Sequence, residues 1–168
     1  MSGVAIDRIR RIGPIFRSRE AVTAGVSWRD LYALRDDGQI LELSRGLYQV
    51  AESAGLDNID FLAVCARAPH GMIALDSALS YWDFSDEIPA AVHLAVPEGS
   101  HRPAIDHPPT IVHVFRAATF DLGRIEIRET GGERFQITDR ERTIVDAFRL
   151  RHILGENAAH QALLRYLN

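Results

Sequence analysis

Residues 17 to 45 contain several arginine and aromatic side chains that can contact nucleic acid. Arginine can form paired hydrogen bonds with a guanine edge or hold a phosphate, and the free N–H groups at a helix start can hold a phosphate as well. Solvated helices also carry arginines, and Asp36 and Asp37 would repel phosphate. The arginines therefore indicate DNA binding only if the elements around them form a DNA-binding fold. The predicted DNA-contact residues are Arg17, Arg19, Ser27, Trp28, Arg29, Tyr32, Arg35 and Arg45.

A second polar group lies between residues 93 and 113 and could be read as a metal or catalytic site. Its members are His93, His101, Asp106, His107 and His113. Histidine is a common metal ligand, but the spacing is not a zinc pattern and no cysteine lies near. We expect no metal and no cofactor, and an enzyme built on these residues is the least favoured of three functional classes.

The remaining candidates for covalent chemistry also have simpler structural roles. Ser77 does not lie in a Gly-x-Ser-x-Gly elbow, and a helix-capping role beside Asp76 accounts for it. Cys65 falls in an apolar helical stripe, which predicts a buried structural thiol. All nineteen basic residues are arginine, so a site that needs a lysine amine is excluded. We therefore do not expect an enzyme.

The elements that must position the arginines have the order of a winged helix-turn-helix. Short helices are predicted over 4–12 and 18–24, the second with Ser18 as its cap. Ser27 opens a third helix with Asp30 completing a capping box, while Leu31 and Leu34 face inward. Two strand-like runs follow and form a hairpin, the wing; they span 40–43 and 47–50, with the turn at 44–46.

A small and polar stretch at 51–56 predicts a linker to a second domain of mixed α/β structure. Asp57, Asp76 or Ser77, and Thr138 are the predicted helix caps there, and the last helix is expected over 157–167. Strands are predicted over 91–96, 110–115, 124–129 and 134–137. The expected fold class is α+β, with a winged helix-turn-helix over 1–51 and a mixed α/β domain over 57–168.

Length and charge narrow the function further. The 168 residues allow one medium or two small domains, and 46% hydrophobic residues exclude general disorder. No apolar run is long enough to span a membrane, and a single cysteine gives no sign of an oxidising compartment, so we expect a cytoplasmic protein. Residues 1–50 carry eight arginines and six acids, a net of +2, whereas 51–168 carry a net of −6. Only the first part suits DNA.

Several motifs in order resemble one family. Gly25-Val26-Ser27, Leu31, Leu34, Gly38 and the stretch ILELSRGLYQV resemble the N-terminal domain of the AbiEi antitoxins, whose wing ends in Arg-Gly-x-Tyr. The stretches DSALSYW, VHLAVP and TDRERTIVDAF resemble the C-terminal domain of that family. The similarity covers about residues 15–150, judged by motif order.

The resemblance implies a transcriptional autoregulator that counteracts a nucleotidyltransferase toxin encoded beside it. Its partners would be operator DNA and that toxin. The alternative is an ordinary winged-helix regulator whose C-terminal domain senses a small molecule or dimerises.

Overall fold

Two β-sheets divide the protein into two units in a computed structural model that describes residues 2–53, 57–129 and 132–168. The N-terminal unit, residues 2–53, holds a three-stranded sheet, and the C-terminal unit, residues 57–168, holds a five-stranded one. In these ranges no helix combines the length and the apolar composition needed to cross a membrane. The α+β class expected from the sequence is confirmed.

The N-terminal unit is a winged helix-turn-helix. Its strands pair antiparallel in the order β1-β3-β2, and the side chains of Leu31, Leu34 and Phe16 are buried between the sheet and the helices. The elements are α1 (Ser2–Arg10), β1 (Ile15–Arg17), α2 (Ser18–Thr23), α3 (Trp28–Asp36), β2 (Ile40–Ser44) and β3 (Leu47–Val50). Strand β1 was not predicted, and α1 lies two residues earlier than the helix predicted over 4–12; the other elements lie close to their predicted positions.

Local hydrogen bonds explain where α2 and α3 begin. The hydroxyl of Ser27 accepts the N–H of Asp30 at 3.1 Å, which is the predicted cap of α3. The cap expected at Ser18 is wrong, because Ser18 is already inside α2. There the carboxylate of Glu20 accepts the N–H of Arg17 at 2.5 Å and satisfies the free donor instead.

The C-terminal unit is a mixed sheet with helices on both faces. Its strand order is β6-β5-β4-β8-β7, with β5 parallel to β6 and β4 parallel to β8. Helix α4 packs through Leu62 and Cys65 on one face, and the later helices cover the other. The elements are α4 (Ile59–Arg67), β4 (Met72–Ile73), α5 (Leu75–Tyr81), β5 (Val92–Pro97), β6 (Thr110–Phe115), β7 (Arg124–Arg128), β8 (Arg134–Thr138), α6 (Arg140–Arg149), α7 (Arg151–Leu154) and α8 (Glu156–Leu167).

Two predicted caps of this unit are displaced by one residue. Asn58, with a left-handed φ of 57°, precedes α4, so the cap expected at Asp57 is wrong. Asp139 caps α6 by accepting the N–H of Arg142 at 2.7 Å, whereas Thr138 is the last residue of β8. Strand β8 extends one residue further than predicted, and the cap of α6 therefore falls on Asp139 instead of Thr138.

Helix α5 begins without a side-chain cap. Ala74 precedes it, and Asp76 and Ser77 lie inside its first turn, so the prediction that one of them caps this helix is wrong. The buried hydroxyl of Ser77 instead accepts the N–H of His93 at 2.9 Å and ties α5 to β5.

The two units pack against each other at a surface that we call the junction. Leu43 and Leu47 of the wing are buried against Ala63 of α4. The guanidinium of Arg17 donates a hydrogen bond to the carbonyl oxygen of Ala66 on the same helix. Of the stretch expected as a linker, 51–53 forms a short 3-10 turn, and 54–56 lie outside the described residues. The contacts fix one side of the wing against α4.

Cys65 lies beside the junction and confirms the prediction of a buried thiol. It shares a cleft of about 250 Å³ with Leu47 and Arg17 of the N-terminal unit. Burial raises the pKa of the Cys65 thiol to about 11. At neutral pH it is therefore a small apolar side chain with no nucleophilic character.

Candidate nucleic-acid interface

Helix α3 presents an exposed face on the side opposite its buried leucines. Trp28 is 49% exposed and Tyr32 is 44% exposed, although both are large aromatic side chains. Their ring centroids lie 6.0 Å apart, and Arg29 is exposed beside them. Positions 28 and 32 are one helical turn apart, so the two rings form one surface. The structure thus brings three of the predicted contact residues together.

Arg35 belongs to the same helix but its charge is already paired. The guanidinium lies 2.9 Å from a carboxylate oxygen of Asp36 and 3.5 Å from one of Glu42 on β2. It also stacks 5.0 Å from the centroid of the Tyr32 ring. Two acids beside one arginine leave this corner of the surface with net negative charge.

Arg45 stands at the tip of the wing, and Gly46 holds the turn. Gly46 has a φ of +74°, a conformation that side chains with a Cβ resist. Its carbonyl accepts the N–H of Ser18 at 3.0 Å, which fastens the wing tip to the start of α2. Arg45 is exposed at this fixed position.

The remaining predicted residues lie in different surroundings. Arg19 is exposed at the start of α2, as a phosphate contact requires. Arg17 is half-buried, and its bond to the Ala66 carbonyl places it at the junction. The Ser27 hydroxyl is occupied as the cap of α3 and also donates to the carboxylate of Asp30 at 2.8 Å.

Arg8 of α1 and Arg11, which directly follows that helix, were not among the predicted contact residues. Arg8 donates a hydrogen bond to the carbonyl of Gly25, in the turn between α2 and α3. Arg11 is exposed and lines the same surface depression as Thr23 and Gly25. In the helix predicted over 4–12, a spacing of three residues places Arg8 and Arg11 on one face. That spacing was the available signal.

The histidine group is only partly assembled. His93 and His113 lie on neighbouring strands with Nδ1 of the first 3.1 Å from Nε2 of the second, and their rings stack at 5.1 Å. Asp76 lies 3.5 Å from Nε2 of His93. His101 and His107 lie apart from them in the exposed loop between β5 and β6. Among the residues that the structure describes, no group of three or more potential ligands could hold a metal ion.

Burial governs the ionisation of this pair and its neighbour. It lowers the pKa of both His93 and His113 and raises the pKa of Asp76. Each shift favours the neutral form of the group. The two imidazoles can then share one N–H between their facing nitrogens.

The N-terminal part of the chain matches a known family model. Residues 5–51 match the family model described as a transcriptional regulator, AbiEi antitoxin. The N-terminal unit is similar to the AbiEi regulators. The matched range contains every predicted DNA-contact residue, from Arg17 to Arg45, together with α3 and the wing.

The fold of this chain, beyond its N-terminal part, also resembles that of a solved structure. The crystal structure of the RV2827C protein from Mycobacterium tuberculosis aligns with a TM-score of 0.59 at 14% sequence identity. The alignment covers 86% of this chain and 58% of that chain, so this chain spans little more than half of its length. No curated protein matches in sequence. At this identity the likeness concerns the fold, which extends beyond the AbiEi segment into the C-terminal unit.

Proposed function

We propose that this protein is the antitoxin of an AbiE-like toxin–antitoxin pair. It represses its own operon by binding operator DNA, and it counteracts a nucleotidyltransferase toxin encoded beside it. The observation that carries the proposal is the AbiEi match over 5–51, which coincides with a winged helix-turn-helix whose α3 exposes Trp28 and Arg29. It acts in the cytoplasm, by binding and without catalysis of its own.

The charge distribution supports a division of labour between domains at 1–51 and 57–168. The N-terminal part carries a net of +2 over residues 1–50, which suits the phosphates of DNA. The remainder carries a net of −6 and would repel them. We assign DNA to the first domain and the toxin to the second.

Operator binding is tested with DNA from immediately upstream of the protein's own reading frame. Arg29→Ala is expected to weaken binding in a mobility-shift assay, by about 1–3 kcal/mol if the side chain contacts a base. The matched control is Arg116→Ala, which removes an exposed arginine from the C-terminal unit. Equal binding by wild type and both variants would remove Arg29 from the interface, and no binding by wild type would reject the operator.

Toxin neutralisation is tested by co-expression with the adjacent reading frame. We expect that frame to encode a nucleotidyltransferase whose expression stops growth, and we expect the full chain to restore growth. A neighbour of another class, or a toxin that the chain leaves active, would contradict the antitoxin role. Repression without any toxin would instead favour an ordinary winged-helix regulator.

A further inference from the structure

Helix α3 is electrostatically divided along its length. Its first turn carries Trp28, Arg29 and one acid, Asp30, whose carboxylate accepts a hydrogen bond from the Ser27 hydroxyl, and the partial positive charge of the helix start offsets that acid. Its last turn ends in Asp36 and Asp37, both exposed, with Arg35 paired to Asp36. A duplex lying along the whole helix would place phosphates against two carboxylates. The first half of α3 is therefore the part that can enter a groove.

The surface of that first half is mainly aromatic. About half of the Trp28 and Tyr32 side chains is exposed, and neither belongs to one of the buried apolar clusters of the described residues. The rings are tilted by 33° and lie close enough to form one continuous apolar surface. The guanidinium of Arg35 stacks on Tyr32 from the side of the wing, which holds that ring in place.

The major groove offers such a surface one apolar partner. Its base edges present hydrogen-bond donors and acceptors, except for the 5-methyl group of thymine. Indole and phenol rings can bury this methyl group, while Arg29 beside them supplies a polar contact. The indole N–H and the phenol O–H can still bond to water or phosphate at the edge of the groove.

We propose that Trp28 and Tyr32 read thymine through its 5-methyl group and thereby set the operator sequence. This inference rests on the proposed DNA binding and adds to it the chemical group recognised. Thymines face the first two turns of α3 at the bound site. Affinity at those positions depends on the methyl group, and the arginines contribute affinity that does not distinguish thymine from uracil.

The experiment begins with duplexes selected by the wild-type protein from a random-sequence pool. Each thymine of a selected duplex is then replaced singly by uracil, which removes one methyl group and leaves the hydrogen-bonding edge unchanged. Loss of one buried methyl group corresponds to about a fourfold weaker Kd. We expect this loss at one or two positions with the wild-type protein. Trp28→Ala or Tyr32→Ala should bind the thymine and uracil duplexes equally at the affected position.

Two control variants separate methyl recognition from general loss of affinity. Trp28→Phe keeps an apolar ring and is expected to retain the preference for thymine. Arg29→Ala is expected to weaken binding to the thymine and uracil duplexes by the same factor. All substituted side chains are exposed, so thermal melting curves should match that of the wild type.

The possible results distinguish this inference from the function on which it rests. Failure to select any duplex would reject DNA binding and the inference with it. A selected duplex in which no uracil replacement changes the Kd would overturn thymine recognition and leave DNA binding in place. A thymine preference that survives in both alanine variants would overturn the assignment to Trp28 and Tyr32.

Discussion

Two arginines of α3 have the same chemistry in the sequence and different surroundings in the fold. Arg29 is exposed, whereas Arg35 is paired with Asp36 and with Glu42 from the neighbouring strand. The contact with Asp36 could be foreseen from adjacency in the chain. The contact with Glu42 could not, because it depends on how the wing folds back beside α3. Charge alone therefore overstates the contribution of Arg35 to DNA binding.

Removal of one acid at this position should strengthen DNA binding. Asp36→Asn abolishes one of the two negative charges beside Arg35 and leaves Glu42, so the guanidinium is less fully paired and the surface repels phosphate less. We expect tighter binding at low salt and a slope of log K against log salt that is steeper by about one. Fluorescence anisotropy over a salt series measures both quantities. Asp60→Asn, on α4, is the control, and an unchanged slope in Asp36→Asn would contradict the expectation.

The contact between buried His93 and half-buried His113 predicts a loss of stability in mild acid. Burial lowers the pKa of His93 and His113, so the unfolded chain takes up protons at a higher pH than the folded chain does. The contribution of the two histidines to the free energy of unfolding is fully present above their unfolded pKa of about 6.5. It is lost progressively as the pH decreases below that value. The raised pKa of Asp76 has the opposite sign, but it opposes the loss only below that carboxyl's own folded pKa.

Urea unfolding at roughly pH 7.5 and pH 5.5 measures this effect. The free energy of unfolding should be lower at the acidic pH, and the difference should shrink in His113→Asn. The exposed His152→Asn variant should behave as the wild type does. An equal difference in wild type and His113→Asn would show that the pair does not control it.

Among the secondary-structure elements, those with local signals were predicted and those without were not. Helix α3 has a cap, inward leucines and a glycine stop within its own sequence, and the structure confirms it. Strand β1 has only three residues, and it exists because β3 pairs with it over Ile15–Arg17. A pairing partner thirty or more residues away leaves no pattern in so short a segment. The same reason explains why Arg17 could not be assigned to the junction.

The wing predicts a clear effect of substitution at its turn. Gly46→Val forces a β-branched residue to a φ of +74° and places its Cβ 3.3 Å from the Ser18 hydroxyl. The turn should shift and displace Arg45, so operator affinity should fall. Gly99→Val is the matched control, since Gly99 has a φ of +85° and no atom within 4 Å of the added Cβ. Equal operator affinity in the two variants would mean that the wing does not contact DNA.

In the whole molecule, the two proposed domains are neighbours with a shared apolar contact. A short polar stretch in a sequence predicts a linker but carries no information on what packs across it. Leu47 is buried against Ala63, so separating the parts exposes apolar surface on both. We expect each part to be less stable alone than in the full chain.

The division of labour is tested by expressing the parts separately beside the toxin. Residues 57–168 should restore growth without repressing the operon, and residues 1–51 should not restore it. Circular dichroism of the purified fragments establishes that each is folded before the comparison. Protection by folded 1–51, with none from folded 57–168, would reverse the assignment. In the full chain, Arg29→Ala should lose repression and keep protection.

The position of Cys65 makes its rate of chemical labelling a measure of how often the surrounding structure opens. It is the single thiol of the chain, and it is buried in the cleft between Leu47 and α4. Its Sγ also contacts the carbonyl oxygen of Gln136 on β8, so a thiol reagent reaches it only when α4 moves away from both the wing and the sheet, and the labelling rate measures how often α4 moves. If operator DNA holds the wing and α2 still, labelling should slow when DNA is bound. If a toxin binds α4 and separates it from the wing, labelling should accelerate. One unaltered side chain would thus report in real time which partner tightens the molecule and which one opens it.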